Sequence, residues 1–399
     1  MSGRGAVAFA VALAAFLAAG LYLGGHPRDL PEPLREVFVA EPGGLLAEGA
    51  EAIEDNYYRP VGGSELGNAS LQGMVRRLRQ SNEEDRYSEY FSPEALASFN
   101  QQIEGRFSGI GLSILAVPVV KGGMKVTEVF PHSPAAEAGI KVGDAIVSVE
   151  GELLDGKSTD EATKKIKGPE GTQVTIGVRD GKSGKTRELT ITRAEVELPN
   201  VTSSLETVKG KKLGYVRMLS FSEGAHAELA KAIEKVQKEG AEGIVLDLRH
   251  NPGGLLDEAV LCAGLFLPGN ETVVITKSRT QGESVHKTSG GRITKLPVVV
   301  LIDGGTASAA EILAAALADD EGATTIGTRS YGKGLFQEEQ SLANGGALKL
   351  SVGAFFTPDR VSLAASHGIH PDVKVKDDLK TKADEAKQRA FGVLAGQVG

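Results

Sequence analysis

Two segments of this chain hold residues whose types could supply a nucleophile and its base. In "VLIDGGTASAAEILAAALADD", Val300 to Asp320, a strand pattern ends at Asp303, two glycines turn the chain, and Ser308 falls at the start of a long Ala/Leu helix. A serine there sits beside unpaired helix N–H groups and the positive end of the helix dipole, which favour an anion developing next to it. Its small neighbours Gly304, Gly305, Ala307, Ala309 and Ala310 leave the hydroxyl open to a substrate backbone. Capping the helix is the common job for such a serine, and Thr306 could fill that job instead. The second segment, "GTRSYGKGLFQ" from Gly327 to Gln337, sets Lys333 between two glycines and near Tyr331, Leu335 and Phe336. A lysine in a semi-apolar pocket can act as a general base once burial favours its neutral form.

The lysine segment comes within one letter of the phosphate-binding pattern G-x-x-x-x-G-K-[ST]. That pattern also needs a Ser or Thr after the lysine and a following helix. Position 334 is Gly, and "LFQEEQSLANGGALKLSV" runs into a turn and a strand, so both requirements fail. A tight turn with an exposed lysine remains open on this segment alone. A Ser-His-Asp triad is the other route to an active serine. Among seven histidines only His250 lies in a comparable place, just past the strand "IVLDLR" that contains Asp247, and both residues could equally be structural.

The elements around these segments follow from periodicity. From Leu45 to about Gln102 the pattern is helical and polar, with Leu71, Met74, Val75 and Leu78 at helical spacing. From Phe107 to about Arg193 short alternating strands dominate. Val174, Ile176 and Val178 face one way, with Leu189 and Ile191 pairing from a return strand, and "STDEATKKIKG" supplies one helix. After "VELPNVTSSLE" strands and helices alternate: "GYVRMLSF", "HAELAKAIEKVQKEG", the fully apolar "GIVLDLR", "LLDEAVLCAGLFL", "TVVITKS", "LPVVVLID" and the Ser308 helix. This alternation predicts an α/β domain with a largely parallel sheet. The expected fold is therefore multidomain α/β, with an N-terminal helical region, a small mostly-β domain and an α/β core.

With 399 residues, 41% hydrophobic and 24% charged, the chain is long enough for two or three packed domains. Its net charge of −8 argues against nucleic acid as the main ligand. The lone Cys262 lies in the apolar run "AVLCAGLFL" and reads as a small buried hydrophobe. Residues Gly5 to Gly25 carry no charge and have the length of a membrane-crossing helix behind a positive Arg4. The expectation is an uncleaved signal anchor, with a cleaved export signal as the alternative; either puts the working domains outside the cytoplasm.

Taken in order, "DRYSEYFSPE", "FSGIGLSI", "LDLRHNPGGLLDEAV", "GTASAAEILAAALAD", "GTRSYGKGLFQ" and "GIHPDV" resemble the signature segments of the carboxyl-terminal processing proteases, serine endopeptidases with a Ser-Lys dyad. The resemblance runs from about residue 50 to the C-terminus. It implies Ser308 as nucleophile, Lys333 as general base and Gln337 as the residue orienting that lysine. It implies an oxyanion hole from the N–H of Ala309 and one from Gly253 or Gly254. It also implies that the mostly-β region is a PDZ domain whose loop Gly109, Ile110, Gly111 and Leu112 holds the C-terminal carboxylate of a protein or peptide substrate. The family usually has Ser where Ala310 stands and often Gly where Asp359 stands; neither change touches a catalytic role. No metal or other cofactor is implied.

The expected organisation is a signal anchor over 1–25, a linker over 26–44, a helical region over 45–105, a PDZ domain over 106–196, a protease core over 197–376 and a helical tail over 377–399. The expected setting is a bacterial cell membrane, with an adaptor protein and a homodimer as further partners. The alternative from another class is a non-catalytic, PDZ-bearing membrane protein that binds a peptide or other ligand without cutting it; a weaker one is a nucleotide-dependent enzyme using Lys333.

Overall fold

The computed structural model describes residues 42–82, 84–103, 106–115, 123–197, 200–377 and 383–398. The expected anchor over Gly5 to Gly25, and all of the expected linker up to residue 41, lie outside the described residues. Among the described residues no helix is long and apolar enough to cross a membrane. The chain divides into two compact units. One contains the described residues up to Pro93 together with Glu339–Leu350; the other contains Glu94–Glu338 and Ser351 to the C-terminus.

The first unit begins with helices α1 (Pro42–Asn56) and α2 (Gly63–Ser81), followed by strand β1 (Glu89–Phe91). Val75 is buried, whereas Met74 and Leu78 of the same stripe stay exposed. β1 pairs antiparallel with residues 347–349, and the Tyr90 hydroxyl donates to Asn68 Oδ1 at 2.6 Å.

The second unit opens with α3 (Pro93–Ile103), whose first residue closes the other unit, and then a small β region. Its elements are β2 (Arg106–Gly109), β3 (Leu112–Leu115), β4 (Met124–Val129), α4 (Pro134–Glu137), β5 (Ala145–Val149), β6 (Glu152–Leu153), α5 (Thr159–Ile166), β7 (Gln173–Arg179), β8 (Thr186–Thr192) and β9 (Ala194–Glu197). Strands β3-β4-β5-β7-β8 form one antiparallel sheet with β6 appended to β5, while β2 pairs with β9. The period-2 pattern works as expected: Val174, Ile176 and Val178 are fully buried, with Val174 opposite Ile191 and Ile176 opposite Leu189. α5 starts in a full capping box between Ser158 and Glu161. β3 stands at the edge of its sheet.

The remaining elements are β10 (Val201–Val208), β11 (Lys211–Met218), α6 (Ala225–Lys238), β12 (Gly243–Asp247), α7 (Leu256–Gly264), β13 (Thr272–Ser278), β14 (Gly282–Lys287), β15 (Val298–Ile302), α8 (Ala309–Glu321), β16 (Thr324–Gly327), β17 (Leu335–Ser341), β18 (Ala347–Phe356), β19 (Val373–Lys374) and α9 (Glu385–Gln397). Six strands lie in the order β10-β11-β12-β15-β16-β19; the first pair is antiparallel and the others are parallel. β13 is outside this sheet and pairs antiparallel with β14 and with residues 353–356 of β18.

The apolar strands are explained by cover on both faces. Ile244, Leu246, Val300 and Ile302 pack with α6, α7 and α8, whereas Val245, Val299 and Leu301 pack with Ala390, Phe391 and Leu394 of α9. Burying each such Val, Leu or Ile stabilises the fold by roughly 1.5–3 kcal/mol. α8 is buried from Ala309 to Leu317, a run of Ala, Leu and Ile apart from Glu311, so it has no solvent face along most of its length. Cys262 is fully buried, and burial pushes its thiol up.

Candidate active site

Three loops leave the carboxyl ends of adjacent parallel strands, which is where open α/β sheets place their ligands. The loop after β12 carries residues 248–255, that after β15 carries 303–308, and that after β16 carries 328–334. They contain, respectively, the Asn-Pro-Gly-Gly turn, Ser308 and Lys333.

Ser308 is the N-cap of α8 and holds φ 56°, ψ −121°, a backbone conformation rarely adopted by a residue with a side chain. It is 8% exposed. Thr306 does not relieve it of the cap. The Thr306 hydroxyl instead accepts from Asp303 N and donates to Leu248 O, each at 2.9 Å, closing the turn on the neighbouring strand.

A buried carboxylate joins the serine to the lysine. Glu311, three residues into α8 and fully buried, accepts the N–H groups of Ser308 and Lys333 on Oε2, both at 2.9 Å. Its Oε1 accepts Gly332 N at 2.7 Å and the Ser330 hydroxyl at 2.5 Å. Four donors thus converge on one carboxylate, which sets the backbone of the Ser308 segment against that of the Lys333 segment. Motif resemblance does not single Glu311 out, although Ser308-Ala-Ala-Glu311 has the spacing of a capping box.

Lys333 is half-buried. Its flanking glycines are needed for close approach to residues 364–368: a Cβ on Gly332 would lie 2.7 Å from His367 C, and one on Gly334 would lie 2.1 Å from Ala364 N. Gln337 lies on β17, where its amide nitrogen donates to Leu335 O at 3.0 Å and to Ser351 Oγ at 3.2 Å.

The Asn-Pro-Gly-Gly turn packs directly on the serine. A Cβ on Gly253, at φ 95°, would lie 2.8 Å from Ser308 Cβ and 2.9 Å from Ala309 N. The fully buried Asn251 organises the turn: its Oδ1 accepts Gly253 N at 2.9 Å, its Nδ2 donates to Met218 O at 3.0 Å, and its carbonyl accepts Ala307 N at 2.9 Å. On the far side Phe221 N donates to Gly253 O and Leu255 N donates to Phe221 O, at 3.0 and 2.8 Å. The N–H of Gly253 is therefore committed to Asn251, which separates it from that of Gly254. Ala309 N, the first N–H of α8, has no intrahelical acceptor.

His250 and Asp247 do not pair with each other. Asp247 is 1% exposed and receives the Tyr215 hydroxyl at 2.6 Å and Arg249 Nη2 at 2.6 Å. Arg249 also reaches Asp384 at 2.8 Å and Asp377 at 3.4 Å. His250 is paired with Asp303 through Nδ1 at 2.9 Å.

In the β region, Gly109 ends β2 opposite Ala194, Ile110 is 1% exposed, Gly111 has φ 79° and Leu112 opens the edge strand β3. Ile110 O accepts Ala135 N at 2.7 Å, and Gly111 O accepts Phe130 N at 3.1 Å. The loop's carbonyls are thereby turned inward, towards α4 and the strand before it.

Comparison with known proteins assigns these parts. Residues 212–375 match Peptidase family S41, and residues 125–180 match a PDZ domain. A carboxyl-terminal-processing protease of Synechocystis sp. is 32% identical over 347 residues, covering 85% of this chain and 79% of that protein. A probable CtpA-like serine protease of Staphylococcus saprophyticus is 33% identical over 330 residues, or 82% of this chain, and the chain spans 64% of that relative's length. Among solved structures, a photosystem II D1 C-terminal processing protease superposes with a TM-score of 0.51 at 27% identity, covering 89% of this chain and 92% of that one.

Proposed function

Since the chain belongs to the carboxyl-terminal processing proteases, serine-type peptidases of family S41, we propose that it captures protein C-termini on its PDZ domain and cuts them with a Ser308–Lys333 dyad. The observation that carries this reading is the Glu311 carboxylate, which holds the Ser308 and Lys333 backbones on a single oxygen. A protein that merely binds peptides has no need of that convergence.

Ser308 Oγ attacks the scissile carbonyl while neutral Lys333 takes its proton. The tetrahedral oxyanion is received by the N–H groups of Ala309 and Gly254, the second chosen over Gly253 because Gly253 N already donates to Asn251. Each such donor contributes about 3 kcal/mol in the transition state. Lys333 then returns the proton to the leaving amine, and water hydrolyses the acyl-enzyme by the same route. The Gln337 side chain orients Lys333, its amide nitrogen being held by Leu335 and Ser351.

Substrate delivery follows from β3, an edge strand that an extended peptide can extend, beside the loop Gly109 to Leu112, whose N–H groups meet the terminal carboxylate. The proposed boundaries are a helical region over 45–105, a PDZ domain over 106–196, a protease core over 197–376 and a tail over 377–399. The proposed setting is extracytoplasmic, anchored through residues 1–25, with adaptor binding and dimerisation as further properties of the same reading.

Incubation of the full chain with casein tests the dyad. Wild type is expected to cut, and Ser308→Ala and Lys333→Ala are each expected to lose at least about a thousandfold in rate. Equal cutting by Lys333→Ala would exclude the dyad.

A further inference from the structure

We propose that Asp303 and His250 form a clamp that positions the oxyanion turn on the nucleophile turn, making both of them positioning residues for the reaction; this rests on the reading of Ser308 as the nucleophile. Asp303 is the last residue before the two glycines of the serine loop, and His250 is the residue before Asn251. The Asp303 carboxylate meets His250 at two points, accepting its backbone N–H on Oδ1 at 2.9 Å and placing Oδ2 2.9 Å from its ring Nδ1. The same Oδ1 accepts Gly305 N at 2.9 Å, so a single carboxylate spans both turns.

The fit between the turns leaves no slack. A Cβ on Gly305 would lie 2.9 Å from His250 Cα and 3.2 Å from His250 Nδ1. His250 itself holds φ 59°, a left-handed conformation that costs energy for a residue with a side chain and so needs support from its partners. From this anchored residue the chain runs directly through Asn251, whose carbonyl takes Ala307 N, to Gly253 against Ser308 and Ala309. A shift of His250 is therefore passed to Gly254 within four residues, and oxyanion donors lose their worth when displaced by a fraction of an ångström. The imidazole is 73% exposed, so it fills no core space, and its contribution is confined to the contact with Asp303.

The test uses the full chain and three variants. His250→Gly removes the ring while keeping the left-handed backbone free of strain. Asp303→Asn keeps an acceptor oxygen for the two N–H groups, and Asp303→Ala removes it. Each is measured for kcat and KM on a fluorogenic peptide, for the rate at which a fluorophosphonate labels Ser308, and for Tm. The expected result is a fall of about tenfold in kcat and in labelling rate for His250→Gly, with KM within about twofold and Tm unchanged. Asp303→Ala should fall further, with Asp303→Asn between it and wild type. Unchanged kcat in His250→Gly, a loss confined to KM, or Asp303→Asn falling as far as Asp303→Ala would each overturn the clamp. Failure of wild type itself to cut or to be labelled is a distinct result: it removes the reading of Ser308 as nucleophile, and the clamp's role with it.

Discussion

At the scale of residues, a buried carboxylate holds the Ser308 and Lys333 segments together. Glu311 satisfies four donors with two oxygens, so the substitution that best exposes its role is the smallest one. In Glu311→Gln an NH2 group must face either the pair Ser308 N and Lys333 N, giving two donor–donor clashes, or Gly332 N and Ser330 Oγ, giving a clash with the backbone donor and forcing the hydroxyl to turn and accept. Leaving buried donors unpaired costs about 1–3 kcal/mol each. The expected outcome is a loss of at least about a hundredfold in kcat/KM, with a lower Tm, measured on casein and by calorimetry. An unchanged kcat would mean that the two backbones stay together without it.

At the scale of elements, α9 is fastened to the loop after β12 by charge as well as by packing. Phe391 and Leu394 bury against the sheet, while Arg249 binds Asp247 and Asp384 and Lys387 binds Glu206 at 2.7 Å. Burial tends to raise the Asp384 carboxyl, but the Arg249 bond and the Lys387 N–H overcome it and hold its pKa below the usual carboxylate range. A depressed folded-state pKa stabilises the folded form at every pH above the unfolded value, and that contribution is lost as pH falls through the folded value. Amide exchange in residues 385–397 should therefore speed up, relative to that of β12, as the solution is acidified into and below the carboxylate range. Asp384→Asn should show the faster exchange already at neutral pH. Equal exchange in the variant and wild type at neutral pH would show that packing alone holds α9.

At the scale of the whole molecule, the Peptidase family S41 match and the PDZ match lie on separate stretches of chain, so under the proposed reading catalysis and recognition should fail separately. If the PDZ loop binds a terminal carboxylate, amidating a peptide substrate's C-terminus should raise KM by at least about tenfold while leaving kcat within about twofold. A kcat effect with no change in KM would move carboxylate recognition to the catalytic loops.

Much of this organisation was legible in the chain's own letters. Ser308 and Lys333 stand out because helix starts and glycine turns are local and need specific residues at specific offsets, whereas the Asn-Pro-Gly-Gly turn entered only through the resemblance to the family. The strands of the β region were equally clear, since period-2 burial is written residue by residue. Tertiary structure decided whatever depends on which distant segments meet. Nothing in Glu339–Leu350 signals that it belongs with the N-terminal helices, and β13 reads like a strand of the main sheet yet pairs elsewhere, because an apolar strand suits any covered sheet. His250 invited pairing with Asp247, three positions away, but β12 turns that carboxylate towards Tyr215 and Arg249, and a carboxylate from the next loop takes the histidine. Glu311 was not singled out in the sequence; its convergence on four donors exists only because the strand order brings the loops after β15 and β16 side by side. Residue types and spacing specify local chemistry, whereas partners far apart in sequence are chosen by the packing of the sheet.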